Sequence, residues 1–152
     1  MKTELHKLLG LAEEEARTII FKEKASVMPT WILSDGTMVH KVCTPWKDEF
    51  ERSVAKVFLR MEIKGFKTVA YSFISEVWLA SGYSKVQTRD RPDKQEAIFA
   101  LATDGKSITH RAWNINRNWE DQVIKLELRS LERADGFGGW VGSLLGEPTE
   151  FI

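Results

Sequence analysis

Leu5, Leu8, Leu9, Ala12, Ala16, Ile19 and Ile20 recur at three- and four-residue steps, so on a helix they fall along one stripe. This predicts a helix over 3–24, with Thr3 as its N-cap. Between Thr30 and Thr44 the pattern shortens to Trp31-Ile32-Leu33 and Met38-Val39, separated by Ser34-Asp35-Gly36-Thr37. Asp-Gly between two extended runs is a hairpin signal, because both residues tolerate the positive φ of a tight turn. Thr44-Pro45 then reads as the opening of a second helix, with Trp46, Phe50, Val54, Val57, Phe58 and Met61 as its apolar face and Gly65 as its stop. From Lys67 the period falls to two: Val69, Tyr71, Phe73, Val77 and Leu79 alternate with Ala70, Ser72, Ile74, Glu76 and Trp78, the pattern of a long strand.

After a polar loop over 81–94, Ala97-Ile98-Phe99-Ala100-Leu101-Ala102 is apolar on both faces, as a central strand requires. Asp104-Gly105 and Asn116-Arg117-Asn118 turn the chain into strands over 107–115 and 123–128, making an antiparallel meander. The order of elements predicts an α+β domain: an antiparallel sheet of about five to six strands with two helices packed on it, in a single domain over 1–152. A tail over 130–152 combines Gly136, Gly138, Gly139, Gly142 and Gly146 with Phe137, Trp140, Val141, Leu144 and Leu145. Such a segment is costly to order and too apolar to leave solvated, so it should fold back over its own sheet or dock on a second copy or a partner, with Trp140 as the anchor.

Composition narrows the class. In 152 residues, 43% hydrophobic and 29% charged side chains suit a globular domain, and 22 basic residues balance 22 acidic ones. That balance argues against a surface given over wholly to nucleic acid or anionic lipid. Cys43 is the single cysteine, which excludes an internal disulfide and favours a reducing, cytoplasmic setting. Glu13, Glu14 and Glu15 in the first helix suit neither a signal peptide nor a transit peptide, so the mature chain is expected to start at Met1; no apolar run is long enough to span a membrane.

Motifs with chemical content are incomplete. Asp104-Gly105-Lys106-Ser107 ends like a phosphate-binding loop, but Ala100 stands where the first glycine is required. The run from Gly136 to Gly142 places Val141 at the third glycine of a dinucleotide fingerprint and has no βαβ unit around it. His40 and Cys43 have the spacing of half a zinc site, with only His6 and His110 elsewhere. No metal and no cofactor is expected.

Glu76 stands out because a carboxylate between Ile74 and Trp78 must face solvent or find a partner, and Arg89, Arg91 and His110 are chemically suitable. Glu96 has the same two readings. Glu76, Glu96 and His110 are therefore the catalytic candidates of a small hydrolase, and Trp78, Arg91, Asp93 and Trp140 the binding candidates. Arg52, Lys56, Arg60 and Lys64 recur every four residues, a basic row that Lys47 and Lys67 would lengthen and that could track phosphates. Of six tryptophans, Trp113, Trp119 and Trp140 lie near polar or glycine-rich segments suited to a recognition surface.

Ile74-Ser75-Glu76-Val77-Trp78, the polar loop, and Arg91-Pro92-Asp93-Lys94-Gln95-Glu96 leading into an apolar strand resemble a family of small uncharacterised bacterial and phage proteins over residues 30–115. Lys94 and Gln95 stand here in place of that family's Arg-Glu pair. The resemblance implies an α+β fold and a prokaryotic or phage origin, with no established activity, and adds weight to Glu76, Trp78, Asp93 and Glu96. With every catalytic constellation incomplete, the function expected is that of a non-enzymatic binding or accessory protein acting through protein-protein contacts or self-association. A nucleic-acid-associated protein using the basic row, or a hydrolase centred on Glu76 and His110, is the alternative.

Overall fold

The structure, a computed structural model, describes residues 2–79, 92, 94–130 and 140–152. Its fold is α+β, with two helices on an antiparallel open sheet. Helix α1 (Lys2–Arg17) runs into a single π-helical turn (Thr18–Lys22); strands β1 (Thr30–Ser34) and β2 (Val39–Cys43) precede helix α2 (Glu49–Gly65). Strands β3 (Ala70–Leu79), β4 (Gln95–Thr103), β5 (Ser107–Arg117) and β6 (Val123–Arg129) follow, and a short β7 (Glu150–Phe151) closes the chain. The spatial order is β2-β1-β3-β4-β5-β6, every pair antiparallel, and β7 adds in parallel to the start of β5, beyond the stretch that β6 covers.

Strand alternation separates two cores. Ile32, Ala70, Ile74, Ile98, Ala100, Ala102, Trp113 and Ile115 face α1, which presents Leu5, Leu8, Leu9, Ala12 and Ala16. Trp31, Leu33, Tyr71, Phe73, Phe99, Leu101 and Ile108 face the other way, toward Leu59 and Ile63 of α2. The helices therefore sandwich the sheet. Alanines on the first face let α1 approach β3, β4 and β5 closely, whereas α2 makes no comparable backbone approach, because it rides on a layer of large aromatic rings.

Helix boundaries depart from expectation at both ends of α2. Thr44 does not cap it: the Thr44 backbone N–H donates to Pro29 O at 2.9 Å, continuing the β1-β2 ladder, and its hydroxyl accepts the Trp31 indole N–H at 2.8 Å. The helix starts after Asp48, whose carboxylate accepts the Glu51 N–H at 2.8 Å. Gly65 is still helical; the left-handed residue that ends α2 is Lys67, with φ 55°, and bonds from Thr68 N–H to Ile63 O and from Lys67 N–H to Lys64 O complete a Schellman motif. Thr3 likewise lies inside α1.

The glycine-bearing turns behave as read. Gly36 (φ 100°) sits in the β1-β2 turn, where the Asp35 carboxylate accepts the Thr37 and Met38 N–H groups; those bonds, Met38's first, hold the Asp35 pKa below its ordinary value. Asp104 does the same for Lys106 and Ser107 in the β4-β5 turn, so Asp104-Gly105-Lys106-Ser107 is a hairpin turn. Gly105 has a further constraint: a Cβ there would lie 2.5 Å from Leu145 O. The tail packs on this turn, with the Thr149 and Glu150 N–H groups donating to Lys106 O.

Of the two coverings expected for the tail, residues 140–152 show the first: they fold over their own sheet. Tyr71 anchors them, its hydroxyl donating to Val141 O at 2.5 Å and accepting Leu144 N–H at 3.3 Å. Residues 131–139, with Phe137, lie outside the described residues.

Candidate functional site

Helix α2 is apolar on two opposite sides. Ala55, Leu59 and Ile63, spaced four apart, turn toward the sheet, and half-buried Arg52 and Lys56 flank them. The Lys56 ammonium lies 5.0 Å from the Trp140 ring centroid, its stem covering the aromatic layer. On the far side stand Phe50 (77% exposed), Val54, Val57, Phe58 and Met61 (68% exposed). The apolar face expected to be the core face is thus the solvent face. The inner side needs few apolar residues because the tail supplies Trp140, Val141, Leu144 and Leu145 to the same core.

Phe50, Val54, Val57 and Met61 are separated by four, three and four residues, the spacing that forms a straight seam on a helix. Beside it, Cys43, Thr44 and Pro45 form one wall of a groove of about 310 Å³, and Phe50, Val54 and Phe58 the other. An exposed run of aromatic and aliphatic side chains, bounded by charged residues, is the kind of surface that marks contact with a protein, a membrane or a ligand.

The residues singled out as catalytic candidates do not gather. Glu76 and Glu96 lie on the α1 side of the sheet, where Glu76 pairs in register with Ile98. Glu76 Oε1 accepts the Val27 N–H at 2.9 Å and the Glu76 N–H donates to Val27 O at 3.0 Å, so this carboxylate fastens the segment that leads into β1. Among the described residues Arg117, not His110, is the neighbouring cation: its guanidinium donates to Glu96 at 2.8 Å, which raises its pKa, and it lines a cleft of about 230 Å³ with Glu76, Lys24, Ser26 and Asp121. His110 pairs in register with Leu101 and stands near Phe99 on the opposite face. A Glu76-His110 centre is excluded by the sheet between them.

His40 and Cys43 point to opposite sides of β2. His40 Nε2 is 3.3 Å from Glu62, on the α2 side, and exposed Cys43 shares its side of the strand with Lys41, which pairs with Glu15 of α1 at 2.8 Å. Among the described residues no group of three or more His, Cys, Asp or Glu side chains is placed to hold a metal ion.

No family model, curated protein or solved structure matches the chain.

Among the binding candidates, Trp78 is partly exposed with the Lys94 ammonium 4.6 Å from its ring, while Trp140 is wedged between Trp31 and Trp46 at 5.6 and 5.4 Å. Arg91 and Asp93 lie outside the described residues, as does the loop over 81–94 except Pro92 and Lys94. Trp113 is core and Trp119 stands in solvent. The basic row is divided: Arg52 pairs with Glu49 and Lys56 covers Trp140, leaving Arg60 and Lys64 at the surface. Among the described residues, no helix is long and apolar enough to cross a membrane. The missed features are the outward direction of the α2 seam and the role of Arg117. Periodicity reports the stronger apolar stripe of a helix without saying what lies opposite it.

Proposed function

We propose that this chain is a non-enzymatic binding protein acting through protein-protein contacts, with the outer face of α2 as its contact surface. The observation that carries the reading is the exposure of Phe50, Val54, Val57, Phe58 and Met61 along a helix whose opposite side already supplies the core. Water around such a stripe is costly, at about 25 cal/mol per Å² of apolar area, so a partner that covers it is favoured. A cytoplasmic accessory role in a bacterium or its phage agrees with the single cysteine and with the resemblance to small bacterial and phage proteins.

Selection of amphipathic helical peptides against the dilute protein tests the reading. Peptides so obtained should lose binding when Val57→Glu and Met61→Glu are combined, while the variant keeps its near-ultraviolet circular dichroism and cooperative melting. Peptides indifferent to both substitutions, or a variant that no longer melts cooperatively, would show that the stripe is not a contact surface.

A further inference from the structure

We infer that a second copy of the chain extends the sheet at β6, the two β6 strands running antiparallel about a two-fold axis at Leu126. The inference goes beyond the α2 contact surface and does not depend on it.

Strand β6 ends the sheet: among the described residues it pairs with β5, and no strand pairs with its outer edge. Helix α1 makes its close approaches to β3, β4 and β5, and α2 rides on the aromatic layer, so the edge is left open to a strand. Such an edge turns a row of backbone N–H and C=O groups outward, a template for another chain. Its aliphatic side chains are open as well, with Ile124 61% and Leu128 67% exposed. Ile124 also lacks a partner in β5, because the ladder steps from Asn116–Lys125 to Arg117–Val123.

Charge fixes the register. Strand β6 spans Val123–Arg129 with Leu126 at its midpoint, so full antiparallel overlap of two copies sets Lys125 against the partner's Glu127 and Ile124 against the partner's Leu128. Lys125 and Glu127 already lie 3.5 Å apart within the chain, and across the axis the two pairs form a ring of four charges of alternating sign. No charge is taken from an existing partner. Lysine on an edge strand ordinarily discourages pairing, but here the facing carboxylate offsets it. Arg129, whose guanidinium donates to Asn114 Oδ1 at 3.2 Å, stands opposite the partner's Val123. A slip of one residue would turn the side chains to the wrong face. A slip of two sets Lys125 against the partner's Lys125, or Glu127 against the partner's Glu127, and larger slips leave less than half of each strand paired. The register of fullest overlap is therefore also the one that charge selects, and the same edge serves both copies, as a closed dimer requires.

Sedimentation equilibrium of the full chain tests the inference, with charge reversals at two exposed positions that leave α2 untouched. The unmodified protein should dimerise weakly as concentration rises, since one strand pair buries less than a standard interface. Lys125→Glu alone and Glu127→Lys alone should each weaken the dimer at least about tenfold, because each sets like charges together twice across the axis. An equal mixture of the two variants should recover a mixed dimer, in which every facing pair is again of opposite sign. The double variant, carrying both reversals, should dimerise as the unmodified chain does. A dimer indifferent to the single reversals would overturn the inference, and so would a mixture or a double variant that melts cooperatively yet stays monomeric. A protein monomeric up to about millimolar concentration would also overturn it, and the peptide selection would then decide the α2 reading on its own.

Discussion

Leu59 is wholly buried and Met61, two residues further along the same helix, is 68% exposed, so α2 presents one apolar side to the sheet and another to solvent. The two sides carry different expectations. Leu59→Ala opens a cavity against the aromatic layer and should cost about 2–5 kcal/mol in urea unfolding. Met61→Ala, measured in dilute solution, should change stability by less than about 0.5 kcal/mol. Equal large losses at both positions would mean that both sides belong to the fold.

Gly105 joins two constraints, a φ of 89° and a Cβ direction blocked by Leu145 O at 2.5 Å. Gly105→Ala should destabilise by at least about 2 kcal/mol and loosen the tail, since neither the left-handed backbone nor the packed carbonyl tolerates a methyl group. Thermal melting and proteolysis after residue 140 report the two effects.

Lys67 ends α2 in a left-handed conformation that glycine adopts without steric cost. Lys67→Gly should therefore stabilise the protein by about 0.5–1 kcal/mol. A loss of stability in urea titration would show that the Lys67 side chain holds the helix end by other means.

Tyr71 is buried, and that desolvation holds its phenol well above the ordinary value despite the opposing bond from Leu144 N–H. A raised folded-state pKa gives stability that is complete below the unfolded value of about 10 and lost as pH rises toward the folded one. Stability should thus decline above about pH 10, and Tyr71→Phe should flatten that decline. The same substitution should cost about 1–3 kcal/mol at neutral pH, because Val141 O and Leu144 N–H lose their partner. Alkaline difference spectra and melts of the two proteins check both signs.

Local chemistry made the turns at Asp35-Gly36 and Asp104-Gly105, the four-strand meander and the α1 stripe legible in the residues alone, because each depends on neighbours a few positions away. The β4 run, apolar on both faces, marked the centre of the sheet for the same reason. Less legible were relations set by distant partners. Thr44 has the chemistry of a helix cap, yet Trp31 claims its hydroxyl from another strand. The direction of the α2 seam depends on Trp140 and Leu144, far along the chain, which complete the core that the seam would otherwise fill. Glu76, set between apolar residues, needs a partner, and among the described residues it finds the Val27 backbone, which no side-chain pattern reveals.

The most direct measurement of the central claim is the oxidation rate of Met61 with and without a helical peptide selected for binding to the protein. Met28 and Met38, exposed outside α2, serve as internal standards. Thioether oxidation follows solvent access, so in dilute protein all three should react at comparable rates. With such a peptide at saturating concentration, Met61 should slow severalfold relative to Met28 and Met38. A ratio of rates that stays constant as the peptide binds would contradict the account, because the seam would then be open to water in both states.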